Sequence, residues 1–270
     1  MLEIKGIRKT FHAGSVNEVK ALQGVTLSVR EGSFTVVIGT NGSGKSTLLN
    51  AIAGSFFVDE GKLFLADREI TRWAEHRRAR MMGRVFQNPF TGTAPTLTIA
   101  ENFALASRRG FRRGLGWAVN GKLRRQIQDV VSQLDMGLEN RLNTPIGTLS
   151  GGQRQALTLL MASWLKPRLL LLDEHTAALD PKSADQVITL TDKIVNRDRL
   201  TALMVTHSMQ QAARFGDRLI MMHRGNVIED LDGDRKKRVR AEELFERFQE
   251  LRRAELLDES AAEMLHRCYV

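Results

Sequence analysis

Residues Phe34–Thr47 read "FTVVIGTNGSGKST". Four β-branched side chains in succession run into Gly39, a polar glycine-bearing loop follows, and the apolar-periodic "LLNAIAG" of Leu48–Gly54 comes next. The order predicts strand, loop and helix. Gly39 to Ser46 carries the spacing G-x-x-x-x-G-K-[ST], in which backbone N–H groups wrap a phosphate chain and glycines allow the close approach. In that arrangement Lys45 reaches the outer phosphates and Ser46 is offered to magnesium. The helix starting there turns its positive end toward the same anions. A plain glycine-rich turn is the competing reading, and the flanking strand and helix weigh against it.

Working outward, "LLLLDE" (Leu169–Glu174) and "TALMVTH" (Thr201–His207) repeat the buried-strand signature. Continuous apolar strands alternating with helices predict an α/β fold with a mostly parallel sheet covered on both faces. Asp173 ends one such strand, placed to orient magnesium, and Glu174 follows it; neighbouring side chains on a strand diverge, so one carboxylate can face a metal and the next an attacking water. A solvated acidic turn is the bland alternative, which four preceding leucines disfavour. From about residue 88 to 166 only helical patterns occur, predicting a helical subdomain inserted into an α/β domain spanning 1–234. Charge density rises after Asp234, predicting a C-terminal helical extension over 235–270.

Composition narrows the function classes. With 42% hydrophobic and 26% charged residues, the chain matches folded soluble proteins rather than disordered ones. It holds no apolar run of the roughly 18 residues that mark a membrane span. No secretory leader is recognisable, and a single cysteine, Cys268, fits a reducing cytosol. The net charge of +9 suits nucleotide phosphates, anionic lipid or nucleic acid alike.

From Leu2 to Asp232 the chain resembles the ATP-binding subunits of ABC transporters. Gln87 in "VFQNP" matches the Q-loop, "LSGGQ" (Leu149–Gln153) the signature, "AALD" (Ala177–Asp180) the D-loop and His207 the switch histidine, in family order with the two phosphate and carboxylate motifs. The resemblance implies a P-loop NTPase core with an N-terminal antiparallel β region. It implies ATP and Mg2+ as cofactors and an ATP-hydrolysing motor. Nucleotide contacts are then expected from Phe11, Gly39, Thr40, Asn41, Gly42, Ser43, Gly44, Lys45, Ser46 and Thr47, and from Ser150, Gly151, Gly152 and Gln153 acting on the ATP of a second subunit. Magnesium would be held by Ser46, Gln87 and Asp173, and catalysis carried by Glu174, His207, Gln87 and Lys45. Phe11 stands where an aromatic stacks on adenine, with a core phenylalanine as the other reading. Ser150 with two glycines after it heads a helix, and a simple N-cap is the other reading there.

The implied partners are a second copy of the chain, transmembrane permease subunits and a solute-binding protein, at the cytoplasmic face of the inner membrane, with no nucleic acid. Import of a small organic solute such as an amino acid is the expectation. A split exporter or lipoprotein-release ATPase, or a soluble nucleic-acid-associated ABC ATPase, stands beside it. The last class typically carries two cassettes or a long coiled-coil insertion, and this chain has neither pattern. Departures from the family pattern are His175 for proline, Ala177 for serine, and Ala156 and Met161 where arginines often follow the signature. His175 reads as an ordinary loop histidine ahead of a titrating regulatory group. The stretch Arg108–Arg125, rich in arginine with Phe111 and Trp117, reads first as permease or lipid contact, then as solvated surface, then as a nucleic-acid patch.

Overall fold

The computed structural model describes residues 1–111, 119–251 and 253. Arg112, Arg113 and Trp117 of the basic stretch, and the C-terminal residues with Cys268, lie outside these. The architecture is α/β. Six strands form one sheet in the order β10-β9-β3-β8-β7-β6: β3 (Phe34–Gly39), β6 (Met82–Val85), β7 (Leu169–Asp173), β8 (Ala202–Val205), β9 (Arg218–His223) and β10 (Asn226–Asp232). All neighbours pair in parallel except β9 and β10. A second sheet, antiparallel and ordered β2-β1-β4-β5, is built from β1 (Leu2–Phe11), β2 (Val19–Val29), β4 (Glu60–Leu65) and β5 (Arg68–Glu69).

The apolar runs are explained by where they sit. β3 and β8 are buried along their whole length and β7 up to Asp173, as strands covered on both faces must be. Helix α1 (Lys45–Ala53) buries Leu48, Leu49, Ala51 and Ile52 completely, in one core with Leu2, Ile4 and Leu22 of the antiparallel sheet and Val37 and Leu171 of the parallel one. A helix wedged between two sheets keeps little solvent face, so the polar side chains of α1 fall in its first turn and at Asn50, with Ser46 its one exposed residue. The opposite face of the parallel sheet is covered by α5 (Gly151–Ser163) and α6 (Pro181–Asp198), with α3 (Ile99–Ser107) and α4 (Gly121–Val131) packed beyond them. Short helices α2 (Glu75–Arg78), α7 (Met209–Arg214) and α8 (Gly233–Arg238) complete the described elements, with a further helix over residues 241–251. Between residues 88 and 166 the described chain forms helices and turns, with one isolated bridge from Thr98 to Pro145. Among the described residues no helix is long and apolar enough to cross a membrane.

Candidate functional site

Parallel strands deliver their following loops to one edge, the usual place for a ligand crevice in an open α/β sheet. Asp173 ends β7 at this edge, and the loop after β3, Glu174 just after β7 and His207 after β8 meet there. They form a cleft of about 360 Å³ lined by Phe11, Val19, Ala21, residues Asn41 to Thr47, Glu174 and His207. Gly44, the N-cap of α1, has φ +95°, and a Cβ on it would stand 2.4 Å from the Ala21 carbonyl oxygen. No other residue type fits that turn. No side chain caps α1, so its positive end is left to the cleft.

Lys45 is only 4% exposed, and its Nζ donates to the carbonyls of Gly39 at 3.0 Å and Thr40 at 2.9 Å. Burial pushes its pKa down, opposed by the charges of Glu174 and Asp173. The ammonium is thus curled into the loop, holding carbonyl oxygens of the kind a phosphate oxygen replaces. Asp173 is shifted the other way: burial raises it, Arg84 works against that, and Glu174 adds to it. The Arg84 Nη2 lies 3.5 Å from Asp173 Oδ2 and donates to Asn50 Oδ1 at 2.5 Å.

Glu174 adopts φ +46°, a left-handed conformation costing on the order of 1 kcal/mol for a non-glycine residue. Its N–H is anchored to the Val205 carbonyl at 3.0 Å. The turn swings its carboxylate to His207, whose Nε2 is 2.5 Å from Oε1; the imidazole N–H is the donor, because a carboxylate only accepts. Thr206, next to His207, and Thr176, two residues past Glu174, are bridged by Gln211, whose Oε1 accepts from both hydroxyls at 2.9 and 3.3 Å. Phe11 lines the cleft while its ring meets Phe56 edge-on at 5.3 Å, with the Lys9 ammonium 5.5 Å from both rings.

Other expected residues lie apart. Gln87 is exposed and does not line the cleft. Nor do Ser150, Gly151, Gly152 or Gln153, which start α5. Ser150 and Gln153 form a reciprocal capping box, each side chain accepting the other's backbone N–H at 3.3 Å. The helix start is therefore a genuine N-cap. Gly152 has a local reason as well, since a Cβ there would fall 2.8 Å from Ser183 of α6. Asp180 of the D-loop caps α6 through Ser183 N–H at 3.1 Å.

His175 is no loop histidine in the ordinary sense. It is 1% exposed, its Nε2 sits 2.9 Å from Thr191 Oγ1 of α6, and burial pulls its pKa down to about 4. The Thr191 hydroxyl donates to the Val187 carbonyl at 2.8 Å, so the neutral ring donates through Nε2. Sequence reading missed Arg84, Asn50 and Gln211. Asn50 lies one turn past Ser46 on α1 and Gln211 four residues after His207, but neither belongs to a motif, and Arg84 reaches Asp173 only through the pairing of β6 with β7.

Comparison with known proteins places this geometry in a family. Residues 22–177 match the model described as ABC transporter. The tyrosine transport ATP-binding protein of Clostridioides difficile is 41% identical over 92% of this chain and 99% of its own length. Lipoprotein-releasing system ATP-binding protein LolD 1 of Caulobacter vibrioides is 33% identical over 82% of this chain and 92% of its own. Among solved structures, the cassette MJ0796 in a dimeric post-hydrolysis state bound to ADP and Pi superposes with a TM-score of 0.72 at 28% identity, covering 86% of this chain and 98% of that one. The chain belongs to the ABC transporter family. It is an ATP-binding subunit that hydrolyses ATP to power transport.

Proposed function

We propose that two copies of this chain close around two ATP molecules at the cytoplasmic face of the inner membrane, and drive import of a small organic solute such as an amino acid through a separate permease fed by a solute-binding protein. Residues 1–234 are the motor and 235–270 an appendage to it. The observation that carries the dimer is the separation of the two glycine-bearing helix starts: the α1 terminus opens into the cleft, while the α5 terminus is exposed and contributes nothing to it. The likeness to a tyrosine transport protein over nearly the full length of both chains supports an amino-acid importer. The LolD relatives support lipoprotein release as the second reading.

In this mechanism the arriving phosphates take over the Lys45 ammonium from the Gly39 and Thr40 carbonyls. His207 turns from Glu174 to the γ-phosphate, which frees the carboxylate to orient and deprotonate water. Asp173 and the Ser46 hydroxyl are hard oxygen donors of the kind magnesium accepts. Magnesium held there, with Gln87 brought in on closure, would neutralise charge building on the phosphates. Phe11 offers its ring to adenine and Ser150 to Gln153 close on the partner's γ-phosphate.

The permease is assigned to a groove of about 670 Å³ between α3, α5 and the segment after Gln87, where Leu105 and Phe111 are more than half exposed beside Arg84, Arg108 and Arg109. Apolar patches rimmed by charge are characteristic of partner surfaces.

Mixed dimers test the shared site. Pairing a Lys45→Ala chain with a Gly151→Asp chain puts both defects in one composite site and leaves the other whole. Placing both changes on one chain, against an unaltered partner, gives each site one defect. More nucleotide trapped per dimer in the split arrangement is expected, and the reverse ranking sinks the two-subunit site.

A further inference from the structure

At the opposite edge of the parallel sheet, where strands begin, five cations gather without a role in the nucleotide cleft. Arg68 starts β5, Arg80 and Met81 precede β6, Lys166 to Arg168 precede β7, and Arg109 lies just past the end of α3. Together they line a basin of about 340 Å³ whose lining holds no acidic residue. That volume is at the small end of the range for small-molecule sites.

Two of the five cations have carboxylates nearby. Lys166 Nζ is 3.1 Å from Asp198 and Arg168 Nη1 is 3.7 Å from Glu31. For Arg68, Arg80 and Arg109 no ion pair is present among the described residues. Arg109 is the most enclosed: Nη2 donates to the Ala162 carbonyl at 3.2 Å, while its buried Nε has no hydrogen-bond partner. Burial alone, with no counter-charge, pushes its pKa down. Gly110 lets Arg80 lie against the end of α3, since a Cβ there would meet Arg80 Cγ at 2.7 Å. Guanidinium groups brought together without carboxylates repel one another, and forked donors of this kind match phosphate oxygens.

We propose that this basin binds a phosphate-bearing anion, at a site separate from the nucleotide cleft. The ligand is either a free phosphorylated molecule or an anionic lipid headgroup, which share that chemistry. Arg109 also lines the groove assigned to the permease, so an occupant would sit one side chain away from it.

The test is calorimetric titration of the full chain with pyrophosphate while the nucleotide cleft is saturated with ADP, alongside sedimentation with phosphatidylglycerol and phosphatidylcholine vesicles. Saturable pyrophosphate binding that weakens with salt, and weakens at least about tenfold in Arg68→Gln/Arg80→Gln, is expected for a free ligand. Retention on phosphatidylglycerol vesicles alone, lost in the same variant, assigns the headgroup instead. Both side chains are exposed, so the variant should keep its ATPase activity, and Arg68→Lys/Arg80→Lys should keep most of the binding. Failure of both probes to bind, or binding that the glutamine variant leaves unchanged, overturns the proposal.

Discussion

Helices α1 and α5 both follow a glycine-bearing loop, yet their ends are treated in opposite ways. The α1 start has no side-chain cap and opens into the cleft, while its C-terminal carbonyls at Ala51 and Ile52 are held by Arg78 Nη1 at 2.6 and 2.9 Å. The α5 start is closed on itself by Ser150 and Gln153 and faces outward. In the proposed two-subunit site, the helix that receives phosphate from its own chain leaves its donors free and is fixed from behind. One that meets a partner's phosphate keeps its shape alone, with the N–H groups of Gly151 and Gly152 outside the capping box. The difference teaches that glycine content does not mark which terminus is loaded; the cap does.

The largest break to that contrast is chemical. Glu174→Gln should cut ATP turnover about 10²–10⁴-fold, the usual worth of a general base, while the uncapped α1 terminus keeps its ATP affinity. Phosphate release and nucleotide titration check it, and turnover near the parent rate removes Glu174 from the role.

Next comes the rear anchor of α1. Arg78 is 1% exposed, donates also to the carbonyls of Trp73 and Thr71, and is pushed by burial down to about 10. Arg78→Met orphans four buried carbonyls and should cost about 3 kcal/mol, seen as a fall in Tm of roughly 6–12 °C. An unchanged Tm would show that α1 needs no anchor.

Smaller is the pH effect under α5, whose Gln155 donates to the His175 carbonyl at 2.8 Å. The folded pKa of His175, about 4, lies below its ordinary 6.5, so the unfolded chain takes up the proton first. Stability from this group is complete above pH 6.5 and is lost as pH falls toward 4, about 2 kcal/mol by pH 5. Denaturant midpoints at pH 7 and 5 should diverge less in His175→Gln than in the parent; equal divergence would place the titration elsewhere.

The smallest effect concerns the far side of α5, where Thr158, Met161 and Ala162 line the groove proposed for the permease. Leu105→Ser/Phe111→Ser should leave basal ATPase unaltered and weaken association with permease-containing membranes about fivefold, roughly 1 kcal/mol. A matched loss of basal activity would make the groove structural.

Local runs were legible from the residues themselves. The strands β3, β7 and β8, the loop Gly39–Ser46 and α1 are each written contiguously; burial on both faces makes the strands almost wholly apolar, and the loop is marked by its glycines and Lys45. The antiparallel sheet followed from family resemblance, because its β1 and β2 alternate and bulge and carry a weaker pattern. His175 does stand in the loop after β7, but its burial was not foreseen, since it is imposed by α6, which the chain reaches only later. The glycine pair at 151–152 looked unexplained as a cap until Ser183 stood against the second of them.

What the sequence by itself determined is therefore the set of groups proposed to meet nucleotide: a phosphate loop, two carboxylates and a histidine, each at the end of a readable strand. Their mutual placement was decided by the tertiary structure alone. Arg84 reaches Asp173 because β6 pairs beside β7, with Arg84 opposite Leu171. Arg78 reaches the end of α1 across 26 and 27 residues of chain, and Arg68, Arg80, Arg109, Lys166 and Arg168 share one basin from four separate segments. Hydrophobic periodicity specifies which side chains leave water, whereas charges far apart in the chain become neighbours only when strand order and helix packing bring their segments together.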